Sequence, residues 1–192
     1  MLKVIMKILL TLLVLLFSSS VFADDISDFE IEGISIGDSL LDYYSISEIK
    51  NARNYNDLPS DMKFTIIEMP KKGRYDGLQF YYLTNNKNYT IEGVGGGMFI
   101  DINECTKNQK KIADEISSTM NKVTVNGPFE NKHQDDPSGD SYFIRYALYF
   151  NDGYAAIDCY AFSKQTGWTD NFRISILTNQ VIDWVNSNYG LN

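Results

Sequence analysis

Between Ser141 and Phe162 apolar and polar residues alternate on both sides of Asp152-Gly153, and this segment constrains the fold more than any other. Asp-Gly suits a two-residue turn with positive φ at both centres, so Ser141–Phe150 and Tyr154–Phe162 are expected to pair as antiparallel strands. That turn opposes Ile144, Tyr146, Leu148 and Phe150 to Ala161, Cys159, Ile157 and Ala155, an unbroken apolar face. On the other face it sets Arg145 diagonal to Asp158, a cross-strand ion pair. The chain has two cysteines, Cys105 and Cys159. Cys105 falls in the clearest helix, Asn103 to Asn121, capped by Asp101 or Asn103, where it shares a stripe with Ile112, Ala113, Ile116 and Met120 while Lys107, Lys110, Lys111, Asp114 and Glu115 lie largely away from it. Laid through that stripe on the hairpin's apolar face, the helix brings the two sulfurs together. A disulfide closing this 54-residue separation disfavours the unfolded chain by about 4 kcal/mol on loop entropy.

The other elements follow from the same periodicities. Asp38 is the expected N-cap of a short helix burying Leu40, Leu41 and Tyr44, Ser47 with Lys50 starts a second helical turn, and Asn51 to Asp61 is a polar loop closed by Pro59. Lys63–Met69 is a strand broken by Pro70 and Gly73. Leu78–Thr84 and Tyr89–Val94 form a hairpin around Asn85-Asn86-Lys87-Asn88 that pairs Tyr82 with Ile91 and places Phe80, Tyr82 and Ile91 on one face. Phe172–Leu177 is the last strand, with Phe172, Ile174 and Ile176 on one side, and Thr178 caps a terminal helix whose Val181, Ile182, Val185 and Tyr189 turn inward.

Residues 1–23 read as a secretory signal peptide: Lys3 and Lys7, an apolar run from Ile8 to Phe17, and Val21 and Ala23 before the cleavage point. The apolar run is about ten residues, half of what a membrane-spanning helix needs. Cleavage leaves residues 24–192 as a single domain, periplasmic or secreted, with no stable membrane anchor, in a compartment where a disulfide persists. Losing the two lysines takes the net charge from −8 to −10, which excludes nucleic acid as a partner and favours cationic ligands.

His133 is the single histidine, so a zinc site built on two or three histidines is excluded. It stands in the longest polar connection, Gly127 to Asp140, in the run His133-Gln134-Asp135-Asp136-Pro137-Ser138-Gly139-Asp140. A hydrolase would use His133 as base, Asp135 or Asp136 to orient it, and Ser138 or Ser141 as nucleophile. The alternative is a solvated turn around Pro137 and Gly139. Asp135, Asp136 and Asp140 are oxygen ligands of the kind calcium takes, but the glutamate that ends a calcium loop is missing. Gly93-Val94-Gly95-Gly96-Gly97 lacks the Lys-Ser or Lys-Thr of a phosphate loop and the glycine spacing of a dinucleotide site, and reads as a bulge or a tight crossing of backbone. Neither a cofactor nor a metal site is expected. Aromatic residues make up 14% of the chain, and Tyr81, Tyr149, Tyr160 and Phe162 fall opposite the expected cores, a stacking surface for a sugar or a peptide.

The segment FEIEGISIGDSLLDYYS from Phe29 to Ser45, with HQDDPSGDS from His133 to Ser141, resembles a family of small exported bacterial proteins of no assigned activity. Ile34 to Leu41 is also similar to the opening of the domain shared by β-lactamase-inhibitor proteins and a small lipoprotein of outer-membrane assembly, although the lipidated cysteine is missing. That likeness implies protein binding rather than catalysis. The expected fold is therefore α+β, an antiparallel sheet with helices packed on one face in an order that could form two αβββ halves. The expected function is an exported binding or protein-interaction module for a protein or small ligand of the cell envelope, the alternative being a hydrolase built on the His133 loop.

Overall fold

The structure, a computed structural model, describes residues 25–54, 63–120 and 122–189. The signal-peptide segment and most of the polar loop ending at Pro59 lie outside the described residues. Among the described residues ten strands and three α-helices follow in the order β1 (Glu30–Ile31), β2 (Ile34–Ser35), α1 (Ile46–Asn51), β3 (Arg53–Asn54), β4 (Phe64–Lys72), β5 (Tyr75–Leu83), β6 (Ile91–Phe99), α2 (Ile102–Thr119), β7 (Thr124–Lys132), β8 (Tyr142–Tyr149), β9 (Gly153–Ala161), β10 (Asn171–Thr178) and α3 (Asn179–Tyr189). Eight strands make one antiparallel sheet in the order β3-β4-β5-β6-β10-β9-β8-β7. No helix among the described residues is long and apolar enough to cross a membrane.

The fold is β-rich, which corrects the expected α+β class with helices on one face and two αβββ halves. One continuous sheet carries the architecture, and its helices are few and divided between both faces. The stripe of α2 packs on β9, and Cys105 and Cys159 form a disulfide with Cα atoms 5.8 Å apart. This face holds the main core, including Phe80, Val94, Leu148, Ile157, Phe172 and Ile176, with Ile49 of α1 at its edge. Gln109 is buried in the same stripe and its Nε2 donates to the carbonyls of Ile144 (2.7 Å) and Ile157 (2.5 Å). The terminal helix α3 instead crosses to the opposite face, where Val181 and Trp184 bury Phe64 and Ile66 beside Tyr81 and Leu177. Its stripe needs only an apolar patch, and β4 offers one on that side.

Several local expectations move by small amounts. The β8–β9 hairpin is slipped by two residues: Ile144 pairs with Cys159, Tyr146 with Ile157 and Leu148 with Ala155, while Phe150 donates its N–H to the Gly153 carbonyl in a longer turn. A two-residue slip keeps every side chain on its face, and it sets Arg145 directly opposite Asp158. Tyr82 does pair with Ile91, but a bulge beyond it brings Phe80 opposite Val94. Strand β4 runs through Pro70, which pairs with Gly77 on one side; the two-residue β3 pairs only with Ile67 and Glu68, so the missing N–H of Pro70 interrupts no ladder. Residues from Thr124 to Lys132, largely expected as loop, form the exposed edge strand β7, kinked at Gly127–Pro128. The short helix expected after Asp38 is the 3₁₀ turn Leu40–Asp42, which buries Leu40 but leaves Leu41 exposed. It is capped by Ser39, while Asp38 accepts from the Ser35 N–H and the Tyr43 hydroxyl. The second helical start falls two residues before Ser47, where Ser45 and Glu48 form the capping box of α1.

Candidate functional site

The His133 run makes a tight turn between β7 and β8, closed by the His133 N–H on the Ser141 carbonyl at 2.9 Å. Asp136 is buried at its centre and accepts the Ser138 hydroxyl (2.7 Å) and N–H (2.9 Å) together with the Ser141 hydroxyl and N–H (2.9 Å). These donors, the Ser141 hydroxyl foremost, hold its carboxyl far below the usual carboxylate range against the opposing effect of burial. The Ser141 oxygen in turn accepts the Ser163 N–H at 2.9 Å, tying this turn to the loop before β10. Both candidate nucleophiles thus give their protons to a carboxylate. His133 points elsewhere: its Nδ1 accepts the Asp135 N–H at 3.3 Å, and its ring lies 5.3 to 5.9 Å from those of Tyr160, Phe162 and Trp168. The turn brings Asp136, Ser138 and Ser141 together and leaves the imidazole of His133 and the exposed Asp135 outside that network. No three His, Cys, Asp or Glu side chains converge as metal ligands among the described residues.

The larger feature lies on the sheet face opposite the disulfide, beyond the end covered by α3. A groove of about 470 Å³ runs across β5, β6, β10 and β9. Its floor is bare backbone, because Gly77 pairs with Gly97 and Gly95 lies on the same face one step away, opposite Gln79 and Ser175. The glycines of β6 divide by role. A Cβ on Gly93 would strike Leu177 at 2.7 Å, and one on Gly96 would strike the Tyr75 ring at 2.6 Å, so packing requires both. A Cβ on Gly97 meets nothing closer than the Phe172 carbonyl at 3.9 Å, and one on Gly77 nothing closer than the end of the Glu68 side chain at 3.3 Å. Of the two expected readings the bulge is found, beside Gly93 where the register with β5 shifts; Gly93 and Gly96 make room for neighbouring side chains rather than for a backbone crossing, whereas Gly97 and Gly77 open onto the groove.

The wall on the β9–β10 side is aromatic and cationic. Arg145 gives Nε and Nη2 to the two oxygens of the buried Asp158, both at 2.7 Å, and this pairing holds the guanidinium proton more tightly than usual. Arg173, on β10 across Asp158 from Arg145, lies over the Tyr160 ring at 4.5 Å and donates Nε to Asn171 Oδ1 at 3.0 Å. It has no carboxylate partner among the described residues. Burial of Tyr160 pushes its phenol up. Tyr160 and Phe162 stack at 5.8 Å, and exposed Trp168 meets Phe162 edge-on at 5.2 Å, extending the aromatic surface to the rim. Of the aromatics expected opposite the core, Tyr149, Tyr160 and Phe162 belong to this open face, and Tyr81 is shared between the groove and the packing of α3. Sequence reasoning did not find Arg173 or the bare floor; the glycine run was their one visible signal. Searches against protein-family models, curated proteins and solved structures return no match.

Proposed function

We propose that the protein is an exported binding module that receives its ligand on the open sheet face, over Gly77, Gly95 and Gly97. Residues 1–23 have the pattern of an export signal, and the disulfide is of a kind that persists in the periplasm or outside the cell. The observation that carries the reading is Gly97. Glycine inside a strand costs about 0.5 to 1 kcal/mol in backbone entropy relative to alanine, and here the protein's own packing does not require it. An uncovered strip of main chain between aromatic and polar walls suits a flat ring or an extended segment lying against the sheet. The exposed aromatics around it are residue types that anchor partners at low entropic cost. Binding is favoured over hydrolysis because the serine hydroxyls beside Asp136 are spent on its carboxylate.

Gly97→Ala separates binding from folding. Stability is expected to stay level or rise by about 0.5 kcal/mol, while the Gly95 and Gln79 amide resonances that shift when wild-type protein is mixed with a cell-envelope extract should cease to shift in the variant. Equal shifts in both proteins would sink the reading.

A further inference from the structure

The two arginines on the open face differ in one respect that points to the ligand. Arg145 is complete: its planar fork meets both oxygens of Asp158. Arg173 is exposed and stands opposite the same Asp158 from the other side, but it rests on the Tyr160 ring at 4.5 Å and on Asn171 at 3.0 Å, and only its Nε is used. Its stem rises directly beside Gly97, with Cγ 4.0 Å from the position a Cβ would take there, and the residue lines the groove with its Nη atoms unused. A guanidinium fixed in this way loses little freedom on binding, and its geometry matches a carboxylate through two parallel bonds. We infer that Arg173 is the anchor for a ligand carboxylate, and that the groove takes a monoanion whose flat or extended apolar portion lies over Gly97 and Gly77. Glu68 and Asp76 stand on the same groove's far side, so a doubly charged phosphate would meet repulsion that a single carboxylate largely avoids. The acidic net charge of the chain does not oppose this, because exposed charges beyond about 8 Å are screened at physiological salt.

This inference rests on the groove being the binding site, and the test separates the two. Isotope-labelled protein is titrated with phenylacetate and with an acetylated alanyl-phenylalanine bearing a free carboxylate, each alongside its uncharged amide. The acids should shift the Gly95 and Gly97 amides and the Arg173 Nε–H, the amides should bind at least tenfold more weakly, and Arg173→Gln should abolish the preference for acid. Tighter binding of the peptide assigns the carboxylate to a chain terminus, and tighter binding of phenylacetate assigns it to a small organic acid. Equal binding of acid and amide, or an unchanged preference in Arg173→Gln, overturns the carboxylate anchor while leaving the groove intact. Floor resonances that no compound moves overturn the anchor and count against the groove as well.

Discussion

Asp136 shows how one side chain organises a turn. Four donors from Ser138 and Ser141 converge on it, and the second serine passes the connection on to Ser163. Because its folded pKa lies below the ordinary 3.8, its stabilising contribution is fully present above that value and is lost as the pH falls toward the folded pKa. Asp136→Asn should therefore be less stable than wild type at pH 7, and the gap should narrow as urea unfolding is followed from pH 5 to pH 2. A constant gap across that range would show that the carboxylate charge is not what the serines hold. The imidazole of His133 joins an aromatic cluster instead, so its contribution to the site is the shape of the rim.

Among the elements, α3 is the most exposed to a single loss. It is held chiefly by Val181 and Trp184 against Phe64 and Ile66, with the Trp184 ring 5.6 Å from that of Phe64 in an edge-to-face contact. Trp184→Ala should cost about 3 to 5 kcal/mol, the usual range for removing a large buried aromatic, measured by denaturant unfolding. A loss under about 1 kcal/mol would mean that the helix is held by something other than this contact. The edge strand β7 shows the converse economy: Gly127, Pro128 and the charged Glu130 and Lys132 leave it paired on one side and unattractive to another strand on the other.

At the scale of the whole molecule, the two halves of the open sheet join at its centre through β6 and β10, whose paired residues run from Gly93–Phe99 to Asn171–Leu177. The disulfide secures the second half of this arrangement by fixing α2 to β9 across a separation of 54 residues. Replacing both cysteines, Cys105→Ala with Cys159→Ala, should lower stability by about 4 kcal/mol on loop entropy, read as a reduced urea midpoint against the oxidised protein. A loss below about 1 kcal/mol would show that the unfolded chain gains little freedom from the cut. The faces divide the work: one carries the disulfide and the main core, the other the groove and the open aromatic wall.

The sequence by itself determined which residues alternate, which face β5, β8, β9 and β10 bury, where α2 begins, and that Cys105 and Cys159 could meet. These follow from periods of two and 3.6 residues, which are local. Only the tertiary structure decided the two-residue slip of β8 on β9, since both registers bury the same face, and the side on which α3 lies, since an apolar stripe names no partner. It also carried β7 through Gly127 and Pro128, which as local signals favour a turn, because pairing along one edge tolerates them. The groove belongs wholly to this second class. Gly77, Gly97, Tyr160 and Arg173 come from four strands distant in the chain, and no local pattern records that their neighbours leave the space between them unfilled.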